Sequence, residues 1–181
     1  IQVKGLPFYS MNTHRRVAEA PWDDIQVERL RAAGAIMIGT NTMMAAGART
    51  DLAPTDPGRM YNWDMEARNP WDPERTTGGS SGGTAAAVGS GAIPMGHGTD
   101  GGGSLRIPAA WCGAFTMKPS RGRLPDGPVY HEGWMGFSTE GHITRSVRDN
   151  AALMDATMGM ELGARYDAPQ PSRPYLAETQ H

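Results

Sequence analysis

One stretch narrows the choice of folds more than any other: "TTGGSSGGTAAAVGSGAIPMGHGTDGGGSLRIPAA", from Thr76 to Ala110. No other part of the chain is so rich in glycine and serine, and no strong charge run interrupts it. Three readings compete: a flexible linker, a phosphate cradle and a serine active site. The linker reading fails because "AAAV", "AIPM" and "LRIPAAWC" interleave the glycines with apolar residues, which flexible linkers lack. The phosphate reading rests on "GHGTDG", Gly96 to Gly101, which fits G-x-G-x-x-G. Its context is wrong: more glycines follow where a helix should open, Pro108 comes soon after, and no acidic residue lies at ribose distance. A Walker-type loop is also excluded, because the only lysines are Lys4 and Lys118.

The third reading is chemically coherent. A nucleophilic serine needs a base to take its proton and backbone N–H groups to hold the oxyanion. In "DGGGS", Gly101, Gly102 and Gly103 present N–H groups with no side chains in the way, and Ser104 supplies a hydroxyl. There is no G-x-S-x-G elbow, which argues against an α/β-hydrolase. His14, His97, His131 and His142 are candidate bases, and spacing pairs none of them with a serine.

The rest of the chain supports a folded body. It has 181 residues, 39% hydrophobic and 20% charged, with a net charge of -2. That balance fits a globular chain with a sizeable core. The absence of a Lys/Arg block argues against a nucleic-acid partner. No apolar run approaches the roughly 20 residues of a membrane span. Cys112 is the only cysteine, so no intrachain disulfide forms, and a reducing cytoplasm is the simplest location. The pattern predicts a helix over 21–34, with Asp23 or Asp24 at its start and Gly34 at its end, then a buried strand at "AIMIG". Residues 45–75 read as a long irregular connection carrying Tyr61, Trp63 and Trp71. "TAAAV" predicts a helix, and "AAWCGAFTMKP" the end of a helix followed by a buried strand. "SVRDNAALMDATMG" predicts a last helix, with Ser146 and Asp149 as a cap signature and Val147, Ala151, Met154 and Met158 on one face. These elements suggest an α/β architecture.

The glycine-rich stretch closely resembles the signature of the amidase signature family: G-G-S-S-G-G-[ST]-A-A-A-V, a short apolar stretch, then G-T-D-x-G-G-S-[IL]-R-[IF]-P-A. The flanks "RNPWDPERTTGGSSGG", "FTMKPSRGRLP", "STEGHITRSVRDNAALMDA" and "VERLRAAGAIMIG" are also similar to family motifs. The resemblance runs from Val3 to about Met160. It implies an α/β fold with a mixed central sheet flanked by helices, present here only in part. It reads residues 1–181 as the central part of one such domain.

The resemblance also implies a mechanism. The family cleaves amides through a Ser–cis-Ser–Lys triad. By motif position Ser104 is the nucleophile, Ser80 the proton-relaying serine after a cis Gly79–Ser80 bond, and Gly101, Gly102 and Gly103 the oxyanion loop. Asp100 would order that loop and Arg106 would pair with a carboxylate. Cys112 would be a buried packing residue. The expected substrate is a small-molecule amide, with no cofactor and no metal, and a homodimer is left open. The aromatics of "GPVYHEGW" and "NWDMEARNPW" suggest a bulky apolar acyl group. Two departures stand out. The family's K-D motif should lie ahead of Gly5-Leu6-Pro7, which puts the catalytic lysine upstream of Ile1 and leaves the chain alone inactive; Lys4 is too close to that turn and Lys118 belongs to the "KP" motif. The family's G-K-T-N reads "GTNT" here, from Gly39 to Thr42. Two other functions compete: an amidotransferase-type subunit releasing ammonia for a partner, and a scaffold that has lost its lysine.

Overall fold

The computed structural model describes residues 1–8, 19–43, 67–129 and 131–180. The described elements are α1 (Ile25–Ala32), α2 (Gly82–Gly89), β1 (Met95–Asp100), α3 (Arg106–Trp111), β2 (Phe115–Thr116), β3 (Thr139–Thr144), α4 (Val147–Thr157) and α5 (Tyr175–Glu178). The three strands form an antiparallel sheet of order β1-β3-β2. Helix α2 packs on β1 and β3, α3 lies against α2 and β2, α4 lies along β3, and α1 and α5 rest on α4. None of these helices is long and apolar enough to cross a membrane.

The register of the sheet places the glycine-rich loop. Asp100, the last residue of β1, pairs with Thr139, the first residue of β3. The two strands therefore finish and start at one edge, and the Gly101–Ser104 segment leaves from it. Gly98 and Gly141 face each other within the ladder. Their missing side chains make a trough that Leu105 fills. A Cβ on Gly98 would stand 2.7 Å from Leu105 Cδ2, and one on Gly141 would collide with Leu105 Cδ1. Glycine inside a strand often marks such a close approach. Leu105 is wholly buried with Ala85, Val88, Ala109, Cys112 and Ile143. This cluster is the packed centre beneath the loop.

Helix α4 begins as the cap signature predicts: the Asp149 N–H donates to Ser146 Oγ at 3.1 Å. Ala151 and Met154 are buried as expected, but Val147 is 54% exposed, and Asn150 and Leu153 complete the buried face instead. The other end of α4 is held by Arg29 on α1. Its guanidinium donates to the carbonyls of Thr157, Met158, Gly159 and Met160, satisfying the free carbonyls of a helix terminus. Helix α1 is shorter than the sequence implies. Asp24 sits at its N-cap, but its carboxylate accepts the Gln2 N–H at 2.5 Å rather than capping the helix.

Two expectations are corrected, and one element was not anticipated. "AIMIG" is not a buried strand: 35–39 has no regular structure, and Ile36 and Ile38 are 84% and 78% exposed. A strand needs a neighbour to satisfy its backbone, and no described strand pairs with this one. The strand after "AAWCG" is short and half-buried rather than buried, because it lies at the edge of the sheet. "GHGTD" is strand β1, an element that its glycines hid. Tyr61 and Trp63 lie outside the described residues.

Replacing either trough glycine should disturb the packing that positions the loop. Gly98→Ala and Gly141→Ala are each expected to destabilise by about 1–3 kcal/mol through overpacking. Leu105→Ala should cost about 2–5 kcal/mol by opening a cavity. Urea unfolding of the encoded protein measures all three, and wild-type midpoints for both glycine variants would refute the trough.

Candidate active site

The site is built where the Thr76–Ser81 segment meets the loop after β1. Thr77, Gly78 and Ser81 are buried, and Gly79 and Ser80 are half-buried. The Gly79–Ser80 peptide bond is cis. Ser81 stitches this corner to the loop: its N–H donates to the Ser104 carbonyl at 3.1 Å. Its Oγ accepts from the Thr99 N–H at 3.3 Å. Ser81 is thus a structural neighbour of the cis bond, and the segments carrying Ser80 and Ser104 lie side by side. Capping does not use either hydroxyl, since the N-caps of α2 and α3 are Ser81 and Leu105.

The loop takes its shape from Asp100, whose side chain is fully buried. One carboxylate oxygen accepts the Gly103 N–H at 2.7 Å. The other accepts the N–H groups of Leu105 and Arg106, each at 3.2 Å. The Arg106 guanidinium closes on both oxygens at 2.9 Å. Burial alone would push this carboxyl up. The guanidinium and the three backbone donors outweigh burial and hold it below the ordinary aspartate value.

This geometry refines the role of Gly103. Its N–H is already committed to Asp100, so it is not a spare donor for an oxyanion. Its φ of +128° and the contact a Cβ would make with Ile107 Cδ1 at 2.8 Å require glycine for conformation. Among the described residues the N–H groups of Gly101, Gly102 and Ser104 have no such partner. Gly102 is also exposed.

The candidate bases are engaged elsewhere. His97 contacts Glu140. His131 Nδ1 lies 2.8 Å from a Glu161 oxygen. His142 Nε2 lies 2.9 Å from Thr157 Oγ1. His14 lies outside the described residues. Burial lowers both His97 and His142 to about 3, so both are neutral at neutral pH. Of the lysines, Lys4 is exposed, and Lys118 Nζ donates to the Pro119 carbonyl at 3.3 Å. Cys112 is fully buried, and burial raises its thiol to about 11, in keeping with a packing role.

Sequence reasoning missed the cluster behind β1. Glu140 contacts His97 on one side and hydrogen-bonds with Asp126 on the other. Burial first, then the neighbouring Glu140, raises Asp126 to about 8. Burial also raises Glu140. The two carboxyls therefore share a proton at neutral pH. Nothing in the sequence pairs residues from β1, β3 and the 119–133 segment; only the fold does. The aromatic expectation divides as well. Trp71 points away from the loop, with its Nε1–H donating to the Cys112 carbonyl at 2.8 Å. Trp134 lies against Gly101.

Asp126 gives a signed pH dependence. Its folded value is raised above the ordinary 3.8, so the folded state holds a proton that the unfolded state releases. Its stabilisation is complete below that ordinary value and is lost as pH rises through about 8. The melting temperature of the encoded protein should fall between pH 7 and pH 9, and Asp126→Asn should flatten that fall. A melting temperature that rises over this window in the wild type would contradict the shared proton.

Comparison with known proteins agrees with this geometry. The Amidase family model matches residues 1–181. A 6-aminohexanoate-cyclic-dimer hydrolase of Paenarthrobacter ureafaciens is 41% identical over 158 residues, covering 86% of this chain and 31% of that protein. The solved structure of a 6-aminohexanoate cyclic dimer hydrolase complexed with substrate superposes with a TM-score of 0.75 at 40% identity, over 87% of this chain and 32% of that one. A bacterial aryl acylamidase of the amidase signature family gives a TM-score of 0.75 at 29% identity, over 97% of this chain and 35% of that one. The chain spans about a third of the length of the relatives it matches.

Proposed function

The chain belongs to the amidase family, and from that premise we propose that the protein hydrolyses a carboxylic amide through an acyl-enzyme on Ser104. The observation that supports this reading is the hydrogen bond from the Ser81 N–H to the Ser104 carbonyl, which ties the segment carrying Ser80 to the one carrying Ser104. The similarity to 6-aminohexanoate-cyclic-dimer hydrolases supports linear or cyclic amides as the substrate class.

In this reading Ser80 takes the proton of Ser104 and gives its own to a neutral lysine base as Ser104 Oγ attacks the carbonyl carbon. The N–H groups of Gly101, Gly102 and Ser104 receive the developing oxyanion. Asp100 supports them indirectly: by binding the N–H groups of Gly103, Leu105 and Arg106 it fixes the backbone that aims the others. Ser80 then passes the proton to the leaving amine, and water releases the acyl group. The described histidines have other partners, and neither lysine of the chain fits as base. The resemblance to the family assigns the base to a lysine of a K-D motif ahead of Gly5-Leu6-Pro7, on polypeptide before Ile1, and reads residues 1–181 as the central part of the catalytic domain.

Two measurements test this. In the encoded protein Ser104→Ala should remove amidase turnover and labelling by a fluorophosphonate. Ser80→Ala should lower turnover by about 10³-fold or more while leaving the fold intact. The 181-residue chain alone should turn over no amide. Turnover by that chain, abolished by Ser104→Ala, would refute the assignment of the lysine.

A further inference from the structure

We propose that Trp134, with Met135 and Phe137 beside it, forms a preformed apolar wall that receives a hydrocarbon group flanking the scissile carbonyl. The inference rests on the reading of Gly101–Ser104 as the loop that holds that carbonyl. Its first support is position. The Trp134 indole lies against Gly101, the first residue of the loop. A Cβ there would meet ring atoms Cε3, Cζ3 and Cδ2 at 2.9, 3.3 and 3.4 Å. The sheet register explains the proximity. The 133–138 segment runs into β3 at Thr139, opposite Asp100, so it arrives at the edge from which the loop leaves.

The second support is exposure in an unexpected place. Trp134, Met135 and Phe137 are 64%, 85% and 65% exposed, three large apolar side chains within four residues. The Trp134 ring both contacts Gly101 and remains mostly exposed.

The third support is the backbone. Trp134 and Met135 both have positive φ, +49° and +52°, a region non-glycine residues enter at a cost of about 1–3 kcal/mol each. Surrounding bonds hold them there. The Gly133 carbonyl accepts the N–H groups of Gly136 and Ser138 at 3.0 and 3.2 Å, and the Phe137 N–H reaches the Trp134 carbonyl at 3.1 Å. Arg121 Nε donates to the Gly136 carbonyl at 2.6 Å, and its guanidinium in turn lies 5.0 Å over the Tyr166 ring. A strained turn held this firmly, displaying oil-like side chains beside the reacting centre, is organised before substrate arrives. Such organisation lowers the cost of binding. The ligand class follows from the wall's chemistry: an alkyl or aryl substituent, not a charged one.

The test is selectivity in the encoded protein, read as kcat/KM for hexanamide over propanamide and for benzamide over propanamide. Trp134→Ala should lower at least one of these ratios by about tenfold or more, because a few methylenes in an apolar contact discriminate by that order. Met135→Gly, which relieves the positive φ and keeps Trp134, should shift the same ratio less. If Trp134→Ala fails to fold, Trp134→Leu and Phe137→Ala carry the measurement. Unchanged ratios in variants with wild-type melting temperatures would overturn the wall. Persistent turnover in Ser104→Ala would instead overturn the underlying reading, so the two failures are distinguishable.

Discussion

The arrangement depends on one carboxylate. Asp100 sits fully buried at the end of β1 and gathers three backbone N–H groups and a guanidinium onto two oxygens. A buried charge is tolerated only when it is satisfied, and here every bond that satisfies it also bends the chain. The loop between β1 and α3 has no sheet or helix of its own to dictate its course. Asp100 dictates it. Arg106 is more than half exposed, so solvent screens part of the charge that its guanidinium brings to the pair.

A second anchor works through shape. Leu105 follows Ser104 directly and drops into the trough over Gly98 and Gly141. The nucleophile candidate is therefore gripped from both sides: by an electrostatic clamp before it and a hydrophobic peg after it. The peg works because the two glycines stand opposite one another in register, so a one-residue slip of β3 would close the trough.

How much of this could be read from the chain differs from element to element. The Ser146 cap, the roles of Asp100 and Arg106 and the burial of Cys112 were legible, because local chemistry or a dense motif carries them. Strand β1 was not: its glycines serve the packing of Leu105, and they mask the alternation that announces a strand. The Glu140–Asp126–His97 cluster was illegible for a different reason, since its members meet only after β1 and β3 pair. Gly103 shows a motif's limit. The motif marked it as part of the oxyanion loop, and only the geometry separates a glycine that donates to a substrate from one that permits a turn. "AIMIG" has a strand's composition, but composition does not supply a neighbour.

That last segment has a consequence for handling the protein. Residues 35–42, "AIMIGTNT", carry no charge and no proline, and Ile36 and Ile38 face water. A short β-prone run left open in this way is a template for pairing between molecules, and nothing within it repels a second copy. The colloidal behaviour of the 181-residue chain therefore turns on this run. A lysine at either isoleucine would act as a gatekeeper against precipitation without touching the residues that surround Ser104.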